Sequence, residues 1–162
     1  MALSVSTPAP EFTLKRKTDS GLMDVALSDF KGQKKIVLLF FPLSFTGVCQ
    51  DELCSVSGGL DAYSALDAEV LGISVDSPFA QEGFAKAAGI SIPLLSDFNR
   101  EVVKAYDVAY DSFLPDVLGY QGVAKRSAFV INKEGIIVYA WSSDNPKDLP
   151  AFDEIKAALA EA

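Results

Sequence analysis

The apolar run Ile36-Val37-Leu38-Leu39-Phe40-Phe41 stops at Pro42, and this junction constrains the fold more than any other part of the chain. The run is apolar on both of its faces, as expected for a strand at the centre of a sheet covered on both sides. Proline has no N–H to give a neighbouring strand, so the strand ends there. From Val48 to about Leu66 the period changes. Leu53, Val56, Leu60, Tyr63 and Leu66 recur at spacings of three and four, which predicts a helix. Gly58-Gly59 interrupts it, each glycine costing about 1 kcal/mol relative to alanine. Thr46 and Cys49 therefore fall in the first turn of a helix that follows a buried strand. Unpaired N–H groups and the helix dipole stabilise negative charge at such a position, which suits a thiolate. Cys49 is the candidate nucleophile, the alternative being a buried inert thiol.

Composition narrows the chemistry further. The 162 residues, 49% hydrophobic and 22% charged, suit one globular domain spanning 1–162 with a full core. A net charge of -8 argues against nucleic acid or an anionic membrane surface as partner. Met1 to Glu11 carries no positive cluster and no apolar core, so no signal peptide is expected. The longest apolar run, Ile36 to Leu43, is far short of the roughly 20 residues that span a bilayer. A cytoplasmic location is the expectation. The chain has no histidine, which excludes Ser-His-Asp and Cys-His machinery, histidine-ligated zinc and histidine-ligated haem. Neither Gly-x-Gly-x-x-Gly nor Gly-x-x-x-x-Gly-Lys-Ser/Thr occurs, so nucleotide binding has no motif support, and neither a cofactor nor a metal is expected. Two cysteines are too few for a disulfide scaffold at this length and read as reactive.

Along the chain, Ser4 to Leu14 contains Pro8 and Pro10, and Glu11 to Leu14 is a short edge strand at best. Lys15 to Gly21 is polar and reads as a turn. Leu22 to Leu27 alternates loosely as a second short strand, and Asp29 to Gly32 reads as a turn before the strand Lys35 to Phe41. Glu69 to Val75 is a second buried strand. Pro78 to Ala88 is a helix starting near Ser77 and ended by Gly89. Leu94-Leu95 follows Pro93, and Asn99 to Tyr106 is a short helix. Pro115, Gly119 and Gly122 break any period between Val108 and Val123, which reads as a loop. Ser127 to Asn132 and Ile136 to Trp141 are strands joined by a hairpin, and Leu149 to Ala160 is a closing amphipathic helix. The pattern predicts an α/β fold, a central mixed sheet with helices on both faces, of thioredoxin-like type.

Read together, these residues resemble the peroxiredoxins. The Pro-x-x-x-Thr-x-x-Cys motif of that family is matched by Pro42, Thr46 and Cys49, and its active-site arginine by Arg126, just ahead of Ser127-Ala128-Phe129-Val130-Ile131. Ala9 to Leu14 is similar to the family's opening. Phe40 to Gln50 and Pro93 to Asp97 look most like the alkyl hydroperoxide reductase E subgroup. Cys54 sits where the peroxiredoxin Q (bacterioferritin comigratory) subgroup keeps a resolving cysteine. The resemblance implies a thiol peroxidase acting on hydrogen peroxide and organic hydroperoxides. It further implies resolution through a Cys49–Cys54 disulfide, recycling by a thioredoxin- or glutaredoxin-like reductant, and a monomer or homodimer.

The residues suit that chemistry. A free thiol, with a pKa of about 8.5, is mostly protonated at neutral pH. Arg126 would favour the anion and stabilise charge on the leaving oxygen without losing its own proton. Thr46 can donate to the thiolate or the peroxide, though a helix N-cap is its commoner role. Pro42 would shield the sulfur from water, and the N–H groups of Val48 and Cys49 would complete the cradle. Arg126 alone would more often be a solvated surface charge. Glu52 could orient Arg126 or lie on a solvated helix face. Residues five apart in a helix have Cα atoms about 8.7 Å apart, whereas a disulfide needs less than about 7 Å. Either the turn from Cys49 to Cys54 unwinds after oxidation, or Cys54 is a passenger thiol. Two other classes compete. A thioredoxin-type disulfide oxidoreductase would use Cys-x-x-Cys, and the four residues between Cys49 and Cys54 count strongly against it. A non-enzymatic redox sensor would use Cys49 but react at the rate of an ordinary thiol.

Overall fold

In the computed structural model, which describes residues 2–162, strand β3 (Lys35–Phe40) lies at the heart of a seven-stranded sheet. Its side chains alternate between two cores. Ile36, Leu38 and Phe40 enter one, and Val37 and Leu39, followed by Phe41, enter the other. The other strands are β1 (Thr13–Thr18), β2 (Gly21–Ala26), β4 (Ala68–Ser74), β5 (Leu94–Ser96), β6 (Arg126–Ile131) and β7 (Ile137–Ser143), in the spatial order β2-β1-β5-β4-β3-β6-β7. β3 runs parallel to β4 and antiparallel to β6, β4 runs parallel to β5, and β1–β2 and β6–β7 are antiparallel pairs. The sheet is therefore mixed, as expected.

Among the described residues, five α-helices complete the fold: α1 (Gly47–Gly58), α2 (Leu60–Ser64), α3 (Pro78–Ala88), α4 (Glu101–Ala105) and α5 (Phe152–Glu161). Val102 and Val103 of α4 pack with Phe40, Tyr106 and Phe129 on one face. Leu53 and Val56 of α1, Phe84 of α3, and Ile155 and Leu159 of α5 pack with Leu39, Val70 and Val130 on the other. Helices thus cover both faces, the thioredoxin-like arrangement. None is long and apolar enough to cross a membrane.

The helix expected from Val48 to Leu66 is divided at Gly59, which caps α1 and begins α2. The α3 boundaries match the expectation. The Ser77 hydroxyl accepts from the Ala80 N–H at 3.1 Å, Pro78 opens the first turn, and Gly89 closes the helix in the left-handed conformation at φ 70°. The N-terminal reading needs correction. Lys15 to Thr18 is strand rather than turn, and β1 is an interior strand between β2 and β5 rather than an edge. Its polarity misleads because the β1–β2 ribbon keeps charge on its exposed face, where Lys15 pairs with Asp24 at 2.6 Å. The turn is confined to Asp19-Ser20. Arg126 is the first residue of β6 rather than the residue before it, and α4 is confined to Glu101–Ala105.

Candidate active site

The site forms where the C-terminal end of β3, the first turn of α1 and the start of β6 converge. Pro42 is buried at the end of the strand, and the chain then crosses Leu43-Ser44-Phe45 to Thr46, the N-cap of α1. The N–H groups of Gly47, Val48 and Cys49 are the first of α1, which the helix itself cannot satisfy. Cys49, Glu52, Leu53 and Val56 form the buried stripe of α1. The alternation of β6 puts Arg126 on the same sheet face as Ala128 and Val130, both of which pack in the core beneath α1. Strand period and helix period therefore aim Arg126, Cys49 and Glu52 at one another.

The contacts are direct. Arg126 Nη2–H donates to Cys49 Sγ at 3.0 Å, Nη1–H donates to Glu52 Oε2, and Nε–H donates to the Pro146 carbonyl at 3.2 Å. Cys49 and Glu52 are fully buried, and Arg126 nearly so. Burial pushes the Glu52 carboxyl from 4.5 up to about 7, against the pull of the Arg126 charge. Burial also opposes the charge on Arg126, but Glu52 and Cys49 together outweigh it and raise its pKa, so the guanidinium remains a cation. A fixed cation thus hydrogen-bonds the sulfur inside the protein, and its planar fork is locked on three sides.

Thr46 departs from expectation. Its hydroxyl neither caps α1 nor donates to the sulfur; Oγ1–H donates to the Leu43 carbonyl at 2.8 Å. With the proton so used, Thr46 can offer only its lone pairs to an incoming O–H. Thr46 is exposed, so the mouth of the site opens beside it. Glu52 is the residue that sequence reasoning ranked too low. The available signal was the i, i+3 spacing from Cys49, which continues into the apolar Leu53 and Val56.

Cys54 lies apart from this cluster. It is half-buried on the same unbroken helix as Cys49, and its thiol donates to the Ala88 carbonyl at the end of α3, at 3.1 Å. Neither cysteine is in a disulfide. Ser57 Oγ, one turn further on, accepts from the Ser91 N–H at 3.0 Å, so the second half of α1 is fastened to the α3–β5 connection.

Comparison with known proteins agrees with this geometry. Residues 5–140 match the AhpC/TSA family. A peroxiredoxin of Synechocystis is 39% identical over 145 residues, covering 85% of this chain and 68% of that one. Alkyl hydroperoxide reductase E of Mycobacterium tuberculosis is 37% identical over 140 residues, covering 85% and 84%. Among solved structures, the reduced 2-Cys peroxiredoxin of Plasmodium vivax superposes with a TM-score of 0.83 at 31% identity, over 96% of this chain and 79% of that one. The peroxidoxin BcpB of M. tuberculosis gives 0.83 at 26% identity, over 98% and 97%. The buried thiol under an arginine, on this fold, places the chain in the AhpC/TSA family of peroxiredoxins.

Proposed function

We propose that the protein is a thiol peroxidase that reduces hydrogen peroxide and organic hydroperoxides at Cys49. The observation that carries this reading is the 3.0 Å hydrogen bond from Arg126 to Cys49 Sγ in a buried site. The Cys49 thiolate attacks one peroxide oxygen in line with the O–O bond. That bond breaks, the sulfur becomes a sulfenic acid, and the departing oxygen leaves as water or an alcohol after taking a proton. Arg126 neutralises charge on sulfur before the step and on the leaving oxygen during it. Thr46 accepts a hydrogen bond from the peroxide, and Pro42 limits the access of water.

For the second half of the cycle, the Cys54 thiolate attacks the sulfenic sulfur, forming a Cys49–Cys54 disulfide and expelling hydroxide, which takes a proton to leave as water. A thioredoxin- or glutaredoxin-like dithiol then returns both thiols. Relatives named as 2-Cys peroxiredoxins support this reading. The unbroken helix and the Cys54–Ala88 hydrogen bond favour a second reading, in which Cys49 acts alone and an external thiol reduces its sulfenic acid. A cytoplasmic location is proposed, in keeping with an N-terminal segment that has neither a positive cluster nor an apolar core.

Mass spectrometry after one equivalent of peroxide separates the two cycles. A disulfide leaves the chain two hydrogen atoms lighter, whereas a sulfenic acid adds one oxygen. Cys49→Ser is expected to lower turnover by at least roughly a thousandfold with the fold intact; retained turnover would defeat the assignment. Cys54→Ser is expected to keep the first oxidation near its original rate and to accumulate sulfinic acid at excess peroxide. An oxidation rate of Cys49 no faster than that of an ordinary thiol would favour a non-enzymatic sensor.

A further inference from the structure

We propose that Asp76 is a positioning residue for the peroxidase reaction, acting through Ser44 to hold the Pro42–Thr46 loop in its peroxide-binding shape. The inference rests on the thiol peroxidase reading of Cys49. Asp76 follows β4 and lies outside the Cys49–Arg126–Glu52 cluster, yet its Oδ2 accepts from both donors of Ser44, the backbone N–H and the hydroxyl, each at 2.9 Å. Ser44 is midway between Pro42 and Thr46, the two residues that frame the mouth of the site.

The clamp is itself held rigidly. Ser74 Oγ–H donates to the same Asp76 oxygen at 2.6 Å, and Ser74 Oγ accepts from Gln81 Nε2 at 2.9 Å. Gln81, buried on α3, also donates to the Leu95 carbonyl at 2.8 Å. Ser96 Oγ–H donates to the Asp76 carbonyl at 2.6 Å. A ladder from β5 and α3 thus ends in the carboxylate that grips the loop.

The loop needs such a grip. Phe45, next to Ser44, has φ 66°, a left-handed conformation that is costly for a bulky residue. Its side chain is 61% exposed and touches the body of the protein through Phe84, with ring centroids 5.2 Å apart. A strained residue persists where its neighbours over-determine it. On one side that neighbour is Ser44, doubly bonded to Asp76; on the other is Thr46, bonded to Leu43. If the clamp opens, Phe45 can relax to negative φ, and the Thr46 oxygen and the Pro42 wall lose their placement while Arg126 stays on the sulfur.

This separates two rates. Reaction with peroxide needs the loop; alkylation of Cys49 by iodoacetamide needs only the thiolate and access. In Asp76→Ala the second-order rate constant for peroxide is expected to fall about tenfold or more, since small misplacements in a site have effects of that size, while alkylation stays level or rises. Ser44→Ala, which keeps its backbone donor, is expected to show a loss of about threefold, and the double variant no more loss than Asp76→Ala alone. Asp76→Asn, which retains one acceptor, should recover part of the peroxide rate. An unchanged peroxide rate in either single variant overturns the proposal, as does a parallel fall of both rates or strict additivity in the double variant. Should Asp76→Ala fail to fold, Ser44→Ala decides alone. A wild type that meets peroxide no faster than a simple thiol refutes the peroxidase reading itself; a fast wild type with indifferent variants refutes only the clamp.

Discussion

Arg126 makes three hydrogen bonds from three different nitrogens, and this geometry distinguishes a guanidinium from any other cation. In Arg126→Lys the charge survives, but one ammonium cannot reach sulfur, Glu52 and the Pro146 carbonyl together. The rate constant for Cys49 oxidation is expected to fall about a hundredfold, the typical effect of losing a preorganised donor, measured by stopped-flow fluorescence. Glu52 has a consequence for stability. Its carboxyl ionises at 4.5 when unperturbed and only at about 7 in the fold, because burial opposes its charge. Its contribution is fully present below pH 4.5 and is lost as the pH rises through about 7, since over that window the unfolded chain has released a proton that the fold retains. Glu52→Gln, neutral throughout, lacks this loss. Urea denaturation at pH 5 and pH 7.5 should show the wild type losing stability relative to Glu52→Gln, by at most about 3 kcal/mol at 1.4 kcal/mol per pH unit. The variant itself leaves Arg126 without its anion, so the comparison is of slopes rather than of absolute stabilities.

Helix α1 is the element on which the second half of the cycle turns. It carries the nucleophile in its first turn and Cys54 in its third, and no disulfide can join residues five apart while that helix is intact. Closure must also break the Cys54–Ala88 hydrogen bond. The helix is weak where it needs to be, since it ends on Gly58 and is capped by Gly59. A Cβ at Gly58 would meet nothing within 4 Å. Gly58→Ala is therefore expected to stabilise α1 by up to about 1 kcal/mol and to slow disulfide closure by about fivefold, with little effect on the first oxidation. Rapid acid quench and mass spectrometry would follow both steps. Closure as fast as in wild type would mean that unwinding stops short of Gly58.

At the scale of the molecule, the sheet is the jig that brings the site together. Packing is close at its centre, where Gly72 of β4 pairs with Leu39 of β3 and Leu94 of β5. A Cβ there would lie 2.7 Å from Leu94 Cδ2 and 3.4 Å from Phe41 Cε1. Gly72→Ala is expected to cost about 1–3 kcal/mol through overpacking, lowering the melting temperature by several degrees (roughly 2–4 °C per kcal/mol at this size). The folded fraction should keep its peroxide rate, because Arg126 and Cys49 are held by β6 and α1.

The amino-acid sequence determined whatever is local. The strand ending at Pro42, the helix beginning after Thr46 and the thiol in its first turn are consecutive, so period and capping reveal them together. Ser77, Pro78 and Gly89 bound α3 for the same reason. The tertiary structure alone decided what meets across the chain. Arg126 reaches Cys49 over 77 residues because β6 pairs with β3 in one register, and a slip of one residue would turn it to the other face. The burial of Glu52, the interior place of β1, the tie between Cys54 and Ala88 and the grip of Asp76 on Ser44 follow in the same way. Residue identity fixes the preferences of neighbouring φ and ψ angles, but the choice among distant partners comes from filling two cores at once on either side of one sheet.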